Sequence, residues 1–371
     1  MDNGLKMLLD GAVEGVAKLH PYIPGKPVDE LARDLNLNVD NIVKLASNEN
    51  PLGPSQKVLD AIQAQLSDVT RYPDGNGFEL KSALSARYGV DSGQITLGNG
   101  SNDVLDLIAR AFLKPGKNAV FSQFAFAVYP ISTQAVGAEM NIVPAKNFAH
   151  DLPAMAAAIN DQTQVVFLAN PNNPTGTVFS RTEFEAFMAK VPDRVLVVLD
   201  EAYSEYVENP DYPDGLGYLP SYANLIVTRT FSKAFGLASL RVGFAVSHPQ
   251  VADLLNRVRQ PFNVDSFALA AAVAALADVE YLEKSKALND QGMAQLEEAF
   301  KALALSYIPS AGNFISVDFG RDAAPINQAL LEKGVIVRPV ANYGMPTFLR
   351  ISIGTKQENQ TFIDALKEIL A

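Results

Sequence analysis

The chain has 371 residues, with 41 acidic against 30 basic side chains, a formal net charge of −11, and a composition 48% hydrophobic and 19% charged. Such a composition excludes a disordered chain, and the length suggests about two domains at roughly 150 residues each. The acid excess argues against a nucleic-acid partner, which needs a basic surface, but leaves room for a local basic pocket that takes a small phosphorylated ligand.

There is no cysteine, which removes disulfides, thiolate metal sites and cysteine nucleophiles. His20, His150 and His248 lie far apart without ligand spacing, so no metal is expected. The N-terminus carries Asp2, Asp10 and Glu14 and lacks the apolar core of a secretory signal. The longest uncharged apolar stretch, 267–277, is far shorter than the roughly 20 residues of a membrane span. A soluble, cytoplasmic protein is expected, with no membrane partner.

Residues before about 45 are too few for a domain and are expected to pack on the C-terminal part of the chain. From there, short apolar runs predict strands over 95–97, 119–121, 164–169, 194–199, 224–227 and 243–246. Amphipathic stretches such as 104–112 and 181–189 lie between them. Apolar runs as continuous as 195–199 indicate strands covered on both faces, and their alternation with helices indicates a doubly wound, mostly parallel α/β sheet. The last hundred residues differ. Helical patterns over 267–277 and 279–305 precede strands over 314–317, 335–337 and 348–353, and a helix over 356–370 ends the chain. The division expected is an N-terminal segment 1–45, a large domain 46–262 and a smaller α+β domain 263–371.

Ligands of such sheets sit beyond the carboxyl ends of the strands, and four segments there carry chemistry. Gly98-Asn99-Gly100-Ser101-Asn102-Asp103 follows a strand and opens a helix, where free backbone N–H groups suit an anion. A dinucleotide fingerprint is disfavoured, because Asp103 replaces the third glycine and no ribose-binding acid ends the next strand. Asn170-Pro171-Asn172-Asn173-Pro174-Thr175-Gly176 is an irregular turn able to aim an amide at a ligand. Asp200-Glu201-Ala202-Tyr203 places a carboxylate at a buried strand end, which is costly without a partner. Thr230-Phe231-Ser232-Lys233-Ala234-Phe235-Gly236, with Arg241 eight residues after the lysine, offers an amine that burial can deprotonate and donors for a phosphate. Singly, each also reads as a turn, a cap or a surface charge. Together they meet the needs of a phosphorylated pyridine aldehyde.

With those segments, the chain resembles the fold-type I pyridoxal-phosphate-dependent aminotransferases, most closely the histidinol-phosphate aminotransferase family. The similarity also covers His20-Pro21-Tyr22-Ile23-Pro24-Gly25-Lys26-Pro27, Ala46-Ser47-Asn48-Glu49-Asn50-Pro51-Leu52-Gly53, Arg71-Tyr72-Pro73-Asp74-Gly75 and Leu349-Arg350-Ile351-Ser352-Ile353-Gly354-Thr355. The resemblance implies pyridoxal 5′-phosphate as cofactor, Lys233 as the amine that condenses with it and shuttles the proton, and Asp200 at its pyridine nitrogen. It further implies Asn173 and Tyr203 at the phenolic oxygen, Phe126 stacked on the ring where relatives often carry Tyr, and Gly100, Ser101, Asn102, Ser232 and Arg241 at the phosphate. Tyr72 would reach the cofactor phosphate of a neighbouring subunit, making a homodimer part of the site. Arg350 matches the arginine that binds the substrate anion, with Arg338 and Tyr22 as further candidates. The implied reaction passes an amino group from glutamate to imidazole acetol phosphate in histidine biosynthesis. Aromatic amino-acid transamination and threonine-phosphate decarboxylation are alternatives on the same scaffold. More distant ones are a nicotinamide oxidoreductase and a non-catalytic binder.

Overall fold

The computed structural model describes residues 3–371 apart from His20 and Ile23. The described residues form twelve strands: β1 (Val43–Leu45), β2 (Ile95–Gly98), β3 (Asn118–Ser122), β4 (Glu139–Val143), β5 (Thr163–Ala169), β6 (Leu196–Asp200), β7 (Leu225–Thr230), β8 (Gly243–Ser247), β9 (Ser306–Ile308), β10 (Phe314–Asp318), β11 (Val335–Pro339) and β12 (Phe348–Ser352). Seven of them build a large sheet in the order β2-β8-β7-β6-β5-β3-β4, parallel except for β8, which runs antiparallel to both neighbours. The other five build a smaller sheet in the order β1-β11-β12-β10-β9.

Strand periodicity explains why the central runs are apolar throughout. Successive side chains point to opposite faces. Val166, Leu168, Val197, Leu199 and Val227 enter the core on one face of the large sheet. Val165, Phe167, Leu196, Val198 and Ile226 enter the core on the other. Helices cover both faces, and sequence sets their starts: Ser180 and Glu183 form a reciprocal capping box ahead of the helix Arg181–Met188, as Thr355 and Glu358 do for Lys356–Leu370.

Three strands lie outside the sequence expectation. β4 is an edge strand whose Glu139, Met140 and Ile142 are exposed, so it lacks the apolar run that marks its neighbours. β1 and β9 span three residues each, too short for a periodic signal. The alanine-rich helix Ser266–Leu276 packs on the helices Gln56–Gln65 and Phe78–Tyr88, and its Ala268, Ala271, Ala272 and Ala275 belong to the core of the large sheet. Before residue 45, β1 pairs parallel with β11, and Leu31 of the helix Val28–Leu35 meets Ile336 of β11. The short helix Glu14–Ala17 instead packs against Val128–Ala135 beside the large sheet. The smaller sheet has its own core, with Leu296, Phe300, Phe362 and Leu366 from its helices against Ile315 and Ile351. No helix among the described residues is long and apolar enough to cross a membrane.

Candidate active site

Strand register gathers the chemistry at one edge of the large sheet. Ala169 lies opposite Asp200, and Asp200 opposite Thr228, at the carboxyl ends of β5, β6 and β7. Because β8 runs the other way, its first residue, Gly243, pairs with Thr230 on one side and Gly98 on the other, so Arg241 enters the same edge. The resulting cavity is lined by Tyr22, Ser101, Asn102, Phe126, Asn173, Asp200, Tyr203, Ser232, Lys233, Arg241 and Arg350, all singled out from sequence, and by Asn48 and Tyr343, which were not.

At the cavity's anion-suited end, the helix Ser101–Phe112 starts from Gly100, whose φ is 78°. A Cβ there would come within 2.4 Å of the Arg241 guanidinium, and one at Gly243 within 2.4 Å of the Ser101 backbone nitrogen. Two glycines therefore let the helix start, β8 and a guanidinium close on one point. Arg241 Nη1 donates to Ser232 Oγ at 3.2 Å and to the Ala238 carbonyl at 3.0 Å.

Asp200 is buried and accepts hydrogen bonds from Tyr129 Oη at 2.7 Å and Thr228 Oγ1 at 2.9 Å. Burial raises its pKa, against the pull of those two hydroxyls and the Ala202 N–H. No ion pair joins it to any cation among the described residues. Tyr129 is itself fully buried, stacked on Phe167 at 4.7 Å and touched edge-on by Phe126 at 5.9 Å.

Lys233 Nζ donates to the Ser47 carbonyl at 3.0 Å and forms no ion pair among the described residues. Its pKa is pushed down to about 7, first by burial and then by the cations Arg350 and Arg241, with Glu49 pulling the other way. The amine is thus held close to neutrality without a catalytic partner of its own.

Tyr203 Oη accepts from Asn48 Nδ2 at 2.9 Å and Asn173 Nδ2 at 3.2 Å. Arg350, buried in β12, donates through Nη1 to Asn173 Oδ1 and through Nη2 to the Ala46 carbonyl, while its buried Nε has no partner among the described residues. An unspent donor on a buried guanidinium is costly and suits an anionic ligand.

Three residues expected at the site, Gly100, Tyr72 and Arg338, do not line this cavity; Gly100 stands just behind its lining, against the Arg241 guanidinium. Tyr72 is 82% exposed and stacks on Phe262 at 4.6 Å. Arg338, opposite Arg350 in the register of β11 and β12, stacks on Tyr22 at 5.0 Å and lines a neighbouring cavity. Tyr22 and Tyr343 border both cavities. His20 and Ile23 of the N-terminal motif lie outside the described residues. Thr228 escaped sequence reasoning because it belongs to no motif, and Tyr129, three residues after Phe126 in the same stretch, had no partner visible in sequence. Asn48 sat within a quoted segment but had no partner visible in sequence.

The family model for aminotransferase class I and II matches residues 40–366. A curated protein of Pseudomonas aeruginosa, histidinol-phosphate aminotransferase 2, is 67% identical over 360 residues, which is 97% of this chain and 98% of that one. Histidinol-phosphate aminotransferase of Stutzerimonas stutzeri is 56% identical over 363 residues, 97% of either chain. The crystal structure of histidinol-phosphate aminotransferase from Sinorhizobium meliloti in complex with pyridoxal 5′-phosphate superposes with a TM-score of 0.89 at 30% identity, covering 97% of both chains. The chain belongs to the class I and II aminotransferases, enzymes of fold type I that work with pyridoxal phosphate. Within that class it is a member of the histidinol-phosphate aminotransferase family.

Proposed function

We propose that the chain transfers an amino group between L-glutamate and imidazole acetol phosphate, giving 2-oxoglutarate and L-histidinol phosphate in histidine biosynthesis. One observation carries the chemistry of this reading, and the histidinol-phosphate aminotransferase relatives support its substrate: a single cavity holds an amine without an anionic partner, Lys233, and a buried carboxylate without a cationic one, Asp200. A ligand that is an aldehyde for the amine and a cationic ring for the carboxylate satisfies both. The glycine-lined cradle beside Arg241 suits its phosphate, so these residues fit pyridoxal 5′-phosphate.

When bound, the cofactor supplies the carbonyl that receives the amino group and a protonated ring that draws electron density from the substrate Cα. Asp200 holds the proton on the ring nitrogen, and Tyr129 and Thr228 fix the direction of its carboxylate. Asn173 and Tyr203 face the phenolic oxygen, and Phe126 covers the ring. Backbone N–H groups at Ser101 and Asn102, with the Ser232 hydroxyl and Arg241, hold the phosphate, and Gly100 gives them room. Lys233 Nζ takes the proton from the substrate Cα. An amine whose pKa burial brings down to about 7 is suited to that work.

Arg350 receives the glutamate carboxylate in one half-reaction and the substrate phosphate in the other, since a planar guanidinium suits both anions. Tyr22 and Arg338 bound the same end of the substrate. We place Tyr72, with its exposed partner Phe262, on the face where a second copy docks, and so read the enzyme as a cytoplasmic homodimer with shared sites. We place the N-terminal segment at 1–45, the large unit at 46–276 and the smaller unit at 277–371, moving the second boundary from 262 because the helix Ser266–Leu276 packs in the core of the large sheet.

Gly100→Ala is expected to weaken cofactor binding by roughly tenfold to a hundredfold, the worth of one displaced charge-assisted contact. Equilibrium dialysis measures it, and unchanged affinity would remove the cradle from the reading. The function itself is tested by comparing histidinol phosphate, phenylalanine and threonine phosphate as substrates, the first two with 2-oxoglutarate as acceptor. We expect kcat/KM for histidinol phosphate to exceed that for phenylalanine by roughly a hundredfold or more, because only the former carries a dianion for Arg350. Faster turnover of phenylalanine, or carbon dioxide release from threonine phosphate, would assign the scaffold to another reaction.

A further inference from the structure

Asn48 follows β1 in a left-handed conformation, φ 54°, and is 1% exposed. Its surroundings settle which way its amide points. Ser352 Oγ accepts from the Asn48 backbone nitrogen at 2.7 Å and donates to Asn48 Oδ1 at 3.0 Å. Asn313 Nδ2 donates to the Asn48 carbonyl at 3.0 Å. With Oδ1 occupied by Ser352, Nδ2 is left as the group that meets Tyr203 Oη at 2.9 Å.

That contact decides what Tyr203 can do. A phenol oxygen has two lone pairs and one proton. The amides of Asn48 and Asn173 each donate to it, so both lone pairs are taken. Its ring is fixed edge-on against Phe314 at 5.2 Å. The remaining capacity is the O–H itself, which finds no acceptor among the described residues. Asn48 also binds Ser352 of β12, two residues beyond Arg350, so the smaller sheet holds Tyr203 through it.

We infer that Asn48 is a positioning residue that, by filling the second lone pair of Tyr203, obliges the Tyr203 hydroxyl to donate to the phenolic oxygen of the bound cofactor. The inference rests on the reading of Tyr203 as a cofactor contact. Without Asn48 the hydroxyl is free to turn and accept instead. A donated hydrogen bond drains negative charge from the cofactor oxygen and so weakens its hold on the proton that it shares with the nitrogen joined to Lys233. Losing the donation strengthens that hold. Arg350, Asp200, Tyr343 and Lys233 also face Tyr203 and stay in place in each variant below.

The test is a pH titration of the visible absorbance of the loaded protein, without substrate, for the wild type, Tyr203→Phe, Asn48→Ala and the double variant. Tyr203→Phe is expected to raise the midpoint by about one pH unit, the scale of one hydrogen bond to a charged oxygen. Asn48→Ala should raise it in the same direction by a substantial part of that amount. In the Tyr203→Phe background, Asn48→Ala should add nothing. Dissociation of pyridoxal phosphate, followed by dialysis, should be faster in the same order. If Asn48→Ala does not fold, Asn48→Asp keeps the acceptor for Ser352 and takes the donor from Tyr203, and it should also raise the midpoint. A midpoint that moves in Tyr203→Phe but in neither Asn48 variant would overturn the role of Asn48 alone. An equal shift with and without the Tyr203 hydroxyl would reduce Asn48 to a structural part. A midpoint unmoved in Tyr203→Phe would overturn both the Tyr203 contact and the inference built on it.

Discussion

Lys233→Ala is expected to lower turnover by at least about 10⁴-fold while the protein stays folded. The fall combines the loss of a covalent anchor with the loss of a general base, and the second alone is worth roughly 10² to 10⁴. Stability should move little, or upward. Lys233 makes a single hydrogen bond, to the Ser47 carbonyl, and its burial is unfavourable for a charged amine. The sign follows from linkage. The folded apoprotein holds this amine at about 7, against 10.5 for an ordinary lysine. Between those values the unfolded chain binds the extra proton, so the wild-type apoprotein gains stability as pH rises through the window. Below about 7 the penalty is complete, and above 10.5 it is gone. The stability advantage of Lys233→Ala should therefore shrink as pH climbs from 7 towards 10. Denaturant titrations of both apoproteins at several pH values measure it. Near-wild-type turnover, or a variant that fails to fold, would contradict the role given to this amine.

Asp200→Asn should have the next largest effect, a fall of roughly 10² to 10⁴ in the rate of the half-reaction with glutamate. Removing one member of a buried charge pair costs about 3–5 kcal/mol, and each factor of ten in rate costs about 1.36 kcal/mol. The substitution keeps the side chain's shape, and Thr228 and Tyr129 remain beside it. The cofactor should still bind through its phosphate, so the loss belongs in the rate and not in occupancy. Single-turnover absorbance with glutamate separates the two. A change of less than threefold would mean that the carboxylate does not govern the ring nitrogen.

These two residues were legible in the sequence for a physical reason. Both follow apolar runs whose ends must lie at one edge of a parallel sheet, and a charged group in such a place needs a purpose. Asn173, Ser101 and Arg241 were legible by the same logic, each beside a strand end and a turn signal. The partners that tune them were not. Tyr129 lies in a helix with ordinary apolar neighbours, and only the fold shows its hydroxyl against Asp200. Asn48 reaches Tyr203 and Ser352 across 155 and 304 residues of sequence, distances over which no local pattern carries information. β4 escaped notice because an edge strand with exposed side chains has no continuous apolar run. The helix Ser266–Leu276 was hard to allot because it is apolar nearly all round, so its periodicity does not say which core it joins. Arg338 and Arg350 are opposite in register, yet only Arg350 lines the cavity that holds Lys233, a distinction that neither the sequence nor the register carries.

The most direct measurement of the central claim is covalent. Purified apoprotein is mixed with pyridoxal 5′-phosphate, reduced with borohydride, digested and mapped by mass spectrometry. We expect the solution to turn yellow and one tagged peptide to dominate, the one containing Lys233. A protein that stays colourless, or a tag carried by a different lysine, would contradict the assignment of the site.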